Sequence, residues 1–216
     1  MDDTKIPEKS GYGVDVALRR ADDLDRKMIG HVLKKDDSKV LDLGSGAGGQ
    51  SVRLCLAGAS VTAVDIDDYS DEFLKLREEN NLFLDQLKFI QGDIRNLKEI
   101  LKGEKFDDCC LQRTIHYLSY QEAEKFLKEL RGMVSDRLYI SVTGLGTAIG
   151  EKYPDRKKSV SERFAKLPDE EAEIFSVQAP VCLYTEKEFI ELLQSSGWQI
   201  LESSVSQFGN IKAVCF

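Results

Sequence analysis

The chain has 216 residues, of which 42% are hydrophobic and 31% charged, a length and balance that suit one soluble domain. Its formal net charge of −8 disfavours non-specific attraction to nucleic-acid phosphates, and no apolar run approaches the ~20 residues needed to span a bilayer. The polar opening Met1–Ser10 does not read as a secretory signal, so the expected location is the cytoplasm, with no membrane partner.

In chain order, Val14–Lys35 reads as an amphipathic helix within an N-terminal helical segment, residues 1–37. From Ser38 onward, short apolar runs alternate with charged, amphipathic stretches. Strands are expected at Lys39–Leu43, Ser60–Asp65, Leu87–Gln91, Asp107–Leu111, Arg137–Thr143, Trp198–Val205 and Asn210–Phe216. Helices are expected at Gly48–Ala57, Asp71–Asn81, Tyr120–Met133 and Glu186–Ser196. This alternation predicts an α/β fold, a mostly parallel sheet with helices on both faces, whose ligands bind beyond the carboxyl ends of the strands. Residues 144–180 show no clear strand and are rich in charge, which predicts a helical cap inserted into a single domain spanning 1–216, and a mobile one. Five cysteines (Cys55, Cys109, Cys110, Cys182, Cys215) lack Cys-x-x-Cys spacing, and four lie in apolar runs. Buried thiols are expected there, with no disulfide framework and no metal site.

The sharpest motif is Val40-Leu41-Asp42-Leu43-Gly44-Ser45-Gly46-Ala47-Gly48-Gly49, an apolar strand running into a glycine loop and then a helix. Glycines let the backbone turn tightly against a ligand, and the helix N-terminus offers N–H groups. The spacing of Gly44, Gly46 and Gly49 also fits the dinucleotide template, so the loop alone does not name a cofactor. Asp42, two residues before the first glycine, would repel a pyrophosphate and favour a ligand carrying an ammonium and a sulfonium. Asp65 ends the second strand, 19 residues after Gly46, where a carboxylate can accept both ribose hydroxyl protons. It could equally cap the next helix, as could Asp67, Asp68 and Asp71. The third strand is also acid-terminated, at Gln91-Gly92-Asp93-Ile94.

Asp42 to Gly48, Val61 to Ile66 and Gln91 to Ile94 resemble the first three motifs of class I S-adenosylmethionine-dependent methyltransferases. The stretch Phe106 to Leu118, with Ile115-His116 opening a helix, resembles the fourth motif of their small-molecule branch, as does Tyr184 to Trp198 the late helix and turn. The resemblance implies a Rossmann-like seven-stranded sheet whose last strand is antiparallel, and S-adenosyl-L-methionine as cofactor. It also implies that Gly44, Gly46 and Gly48 lie under the methionine part, Asp65 on the ribose and Ile66 on the adenine. Asp93 would accept from the adenine amino group, the Ile94 N–H would meet the ring, and Gln112 would sit beside the methionine. The register where DNA amino-methyltransferases carry Asn/Asp-Pro-Pro-aromatic reads without proline here.

His116 is the candidate catalytic base, should the acceptor have to lose a proton, and packing is its ordinary alternative. His31 reads as structural. Tyr12, Tyr153 and Tyr184 are candidate pocket residues, with packing as the ordinary reading. In the cap, Lys152, Arg156, Lys157, Lys158, Arg163 and Lys166 stand against only Glu151, Asp155 and Glu162, either a solvated face or an anion-binding lid. The expectation is methyl transfer to a small-molecule acceptor. RNA methylation and a catalytically silent cofactor-binding module are the alternatives.

Overall fold

The computed structural model describes residues 6–7, 9–15, 17 and 20–216. Seven strands form one sheet: β1 (Lys39–Leu43), β2 (Ser60–Asp65), β3 (Leu87–Gln91), β4 (Phe106–Gln112), β5 (Val134–Thr143), β6 (Ile200–Val205) and β7 (Asn210–Cys215). Their order is β3-β2-β1-β4-β5-β7-β6. The β1–β2 and β2–β3 pairs are parallel, and β6–β7 is an antiparallel hairpin. The helices are α1 (Asp23–Val32), α2 (Gly49–Leu56), α3 (Ser70–Asn80), α4 (Leu97–Leu101), α5 (Tyr120–Arg131), α6 (Ala148–Glu151), α7 (Asp169–Phe175) and α8 (Glu186–Ser195).

The chain divides into two compact units. The first holds the described residues of 1–6, 15–110 and 133–139. In it, β1 and β2 are buried at every position after their first residue, as parallel strands covered on both faces must be. Lys39 pairs with Ser60 and Leu43 with Val64, so Leu43 and Asp65 end side by side at the carboxyl edge. The N-terminal helix is shorter than the apolar spacing predicts. It starts at Asp23 because Asp22 and Asp25 form a reciprocal capping box, and upstream Val14–Asp15 is extended. Positions 16, 18 and 19 of the expected helix lie outside the described residues. A second difference is Ile94–Leu101, which holds a 3₁₀ turn and then α4 where no helix is expected. Asp93 caps that turn through the Arg95 N–H, and a helix this short shows little periodicity.

The second unit holds the described residues of 7–14, 111–132 and 140–216. Capping boxes start α5 (Ser119 and Glu122) and α8 (Thr185 and Glu188). Within it, the cap has a core of its own: Leu145, Tyr153, Leu167, Ala172, Val177, Val181 and Leu183 are buried together. An isolated bridge between Ala165 and Val181 and a hydrogen bond from Tyr153 Oη to Val181 O close that core. Burial of this kind belongs to a packed layer, where charge and missing strand signal suggest a loose lid. The five cysteines are all buried free thiols.

Candidate functional site

The first unit gathers the glycine loop and the strand-end acids. Gly44, Gly46 and Gly48 all have positive φ (66°, 52° and 85°), a region L side chains rarely adopt. At Gly48 a Cβ would also meet Phe73 Cζ and Leu76 Cδ1 at 2.8 Å, so the loop is held close against α3 by the absence of a side chain. Asp65 ties this loop to the second strand: Oδ2 accepts from Gly46 N–H at 2.8 Å and Oδ1 from Asp67 N–H at 3.0 Å. Each oxygen keeps a lone-pair direction for a further donor. Burial is the largest influence on Asp65 and raises its pKa, against the two backbone bonds that favour the charge.

Asp42 lies deeper. Ser51 Oγ donates to Asp42 Oδ2 at 2.6 Å. Burial above all, with the fields of Asp25 and Asp15 adding to it, pushes its carboxyl up to about 7, while bonds from Ser51 and Cys110 pull the other way. At neutral pH this group is poised between charged and neutral, so a nearby cation would ionise it. Near neutrality the charge on Asp42 is only partly present without a cation.

Asp93 is half-committed. Arg95 Nε donates to both its oxygens, at 3.0 and 2.8 Å, which holds the carboxyl below its usual range despite the opposing effect of burial. Ile94 is buried, and Ile66 leaves 38% of its surface exposed, a large apolar side chain at the end of β2. Two residues enter this region without a signal in the sequence reading. Ser51 lies within α2, and Asp15 Oδ2 accepts from Ala47 N–H at 3.1 Å from within a stretch whose spacing mimics a helix.

In the second unit, Gln112 ends β4 and His116 lies in the 3₁₀ turn Ile115–Tyr117. His116 is buried with Nδ1 lacking a hydrogen-bond partner, its ring 4.4 Å from that of Tyr117. Burial, with the Arg113 charge adding to it, lowers its pKa to about 3. It is therefore neutral at pH 7 and a weak proton acceptor. Tyr12 and Tyr117 pack edge to face, with Tyr117 Oη donating to Tyr12 O. Tyr153 and Tyr184 are both fully packed.

The cap's basic residues are mostly spoken for. Arg156 donates to the carbonyl of Leu145, ahead of α6, and to that of Gly150 within it. Arg163 is 4% exposed and forks onto Glu188 at 2.8 and 3.2 Å. Lys152 pairs with Glu171 and Lys158 with Asp155. The anion-binding reading thus loses most of its charge to internal partners.

Remote from the glycine loop in sequence, His31, Asp108 and Asp136 bring three ligand-type atoms within 4.8 Å of one another. Lys35 Nζ already bonds both carboxylates there, at 2.7 and 2.6 Å. Lys35 offsets one of the two carboxylate charges, and His31 Nε2 lies 3.1 Å from Asp136 Oδ2.

The sheet order, the antiparallel hairpin and a glycine loop closed by a strand-end acid define a Rossmann-like α/β fold. Residues 41–138 match the methyltransferase domain family. A curated relative, a candidate ribosomal RNA large subunit methyltransferase of Methanocaldococcus jannaschii, is 40% identical over 79 residues, 34% of this chain; the match spans only 20% of that relative's length. Among solved structures, the 1,6-didemethyltoxoflavin-N1-methyltransferase of Burkholderia thailandensis, bound to 1,6-didemethyltoxoflavin and S-adenosylhomocysteine, superimposes with a TM-score of 0.66 at 18% identity, over 93% of this chain and 78% of that one. An S-adenosylmethionine-dependent methyltransferase of Clostridium acetobutylicum gives 0.67 at 15% identity, over 93% and 92%. These two superpositions, each under 25% identical, establish the fold that the chain shares with those structures. No helix among the described residues is long and apolar enough to cross a membrane.

Proposed function

We propose that the protein transfers a methyl group from S-adenosylmethionine to a small-molecule acceptor and releases S-adenosylhomocysteine. The observation that carries this reading is the cradle in the first unit, where Asp65 closes the Gly44–Gly48 loop and keeps acceptor capacity for hydroxyl donors. Bound there, the cofactor supplies a methyl on a sulfonium, open to in-line displacement by a nucleophile held against it. Gly44, Gly46 and Gly48 would lie under the methionine part and Gln112 beside it. Asp65 would take the ribose, Ile66 and the Ile94 N–H the adenine ring, and Asp93 the adenine amino group, sharing its carboxylate with Arg95. Asp42 would ionise under the ligand's positive charge. A dinucleotide pyrophosphate would instead meet the acids of the loop, which is why an oxidoreductase reading is disfavoured.

Catalysis then rests on orientation and water exclusion, not on strong base chemistry. We assign His116 the role of hydrogen-bonding the acceptor through its unpaired Nδ1; the expected outcome is a rate profile without an inflection near the usual histidine pKa, and such an inflection would favour general base catalysis instead. The small-molecule reading draws on the net charge of −8 and on the acceptor of the Burkholderia thailandensis structure. Ribosomal RNA is the second reading, favoured by the 79-residue match to the archaeal relative. Release of S-adenosylhomocysteine, measured against a panel of heteroaromatic and other small metabolites and against ribosomal RNA, separates the two. Thermal stabilisation by S-adenosylhomocysteine and none by NAD is expected, since only native-state ligands stabilise. Stabilisation by NAD alone would overturn the proposal.

A further inference from the structure

The glycine loop satisfies most of its backbone donors internally. Gly44 and Ser45 donate to Val64 O at 2.9 and 3.3 Å, Gly46 to Asp65 at 2.8 Å and Gly48 to Ser45 O at 3.1 Å. Ala47 differs. Its N–H reaches Asp15, a carboxylate from 32 residues earlier in the chain. Ala17 O accepts from Arg53 Nη2 at 2.6 Å, so Asp15 and Ala17 lay an N-terminal strap over the loop and α2.

On the same face of α2, three residues before Arg53, lies Gln50. It is 3% exposed, and neither its amide nitrogen nor its amide oxygen has a hydrogen-bond partner. Such a group is costly to bury and uncommon in native proteins. Gln50 is the second residue of α2, and helical side chains tilt towards the helix N-terminus, here towards the glycine loop. An unused amide donor thus leans to the one loop N–H that is held by a side chain from outside the β1–β2 scaffold.

We infer that Gln50 Nε2 and Ala47 N–H together form the seat for the carboxylate of the cofactor's amino-acid end, and that Asp15 is an internal stand-in which the ligand displaces. The inference rests on the cofactor reading above. A carboxylate already occupies the Ala47 donor, so the chemistry of the seat is demonstrated by the protein itself. Two carboxylates cannot share that donor without repulsion, so binding must move Asp15 away. The ligand's carboxylate gains the Gln50 donor, which Asp15 leaves unused, and that gain offsets the release of the strap.

Calorimetry on the full chain with two probes tests this: S-adenosylhomocysteine, and 5′-methylthioadenosine, which keeps the adenine, ribose and sulfur but lacks the amino-acid end. Gln50→Met keeps the side-chain volume and removes the donor. It should weaken S-adenosylhomocysteine by about tenfold, the worth of one hydrogen bond to a charged group, and leave 5′-methylthioadenosine unchanged. Its unliganded melting temperature should equal or exceed that of the wild type, because an unpaired buried amide is gone. Asp15→Asn should tighten S-adenosylhomocysteine alone. Equal weakening of both probes by Gln50→Met, or of neither, overturns the seat. Weaker S-adenosylhomocysteine binding in Asp15→Asn overturns the stand-in role and makes Asp15 a ligand of the ammonium. If the wild type binds neither probe, the cofactor reading fails and this inference with it.

Discussion

Asp42 offers a direct test of the site's electrostatics. The carboxyl is buried, bonded to Ser51 Oγ at 2.6 Å, and moved from 3.8 to about 7. Between those two pH values the unfolded chain has released this proton while the folded chain retains it. The stabilising contribution is therefore complete below about pH 4 and is lost as pH rises through 7. At about 1.4 kcal/mol per pH unit over roughly three units, the loss amounts to about 4 kcal/mol. Asp42→Asn keeps an oxygen acceptor for the Ser51 hydroxyl and does not titrate. Urea unfolding of both proteins at intervals from pH 4 to pH 8 isolates the effect, since every other titrating group is common to the two. The stability of the wild type relative to Asp42→Asn should fall by about 4 kcal/mol across that range. Parallel curves would refute the reasoning, and would mean that Asp42 is charged throughout and neutralised by a partner.

Asp65→Ala should weaken S-adenosylhomocysteine binding by about 2–3 kcal/mol by removing charge-assisted bonds to the ribose, and unchanged affinity in a folded variant would sink the assignment. Lys35→Met leaves the buried Asp108 carboxylate without its ammonium partner and should cost about 3–5 kcal/mol in unfolding free energy; a loss under about 1 kcal/mol would show the cluster to be dispensable. In the cap, Arg156→Ala should lower stability by about 1.5–3 kcal/mol, through the Leu145 and Gly150 carbonyls it holds. Lys157→Ala should change stability by no more than about 0.5 kcal/mol. Equal effects from the two would restore the view of this stretch as a uniform basic face.

The central strands and the glycine loop were legible because their information is local. Val40 to Gly49 writes a buried strand, a turn that only glycines accommodate and a helix start in ten consecutive residues. The second-strand acid follows from the same βα grammar, and Asp65 sits where that reading puts it, bonded to the loop. Element ends were legible where caps are explicit, as at Ser119-x-x-Glu122 and Thr185-x-x-Glu188. Along the N-terminal segment the apolar spacing overran the helix, because the capping box at Asp22 and Asp25 outweighs periodicity.

The remainder depended on pairs far apart in the chain. The Asp15–Ala47 contact joins residues 32 apart, and Lys35 meets Asp108 across 73. No window of sequence contains both partners. Charge state is set the same way: Asp42 and His116 look like ordinary titratable residues until burial moves one up to about 7 and the other down to about 3. The cap shows this most plainly. Its sequence is a run of lysines and arginines, but Arg156 and Arg163 are turned inward onto carbonyls and Glu188. Local chemistry thus determined the loop and the strand ends. Which charges stay free to meet a ligand was decided by tertiary packing, because desolvation and ion pairing act through space and not along the chain.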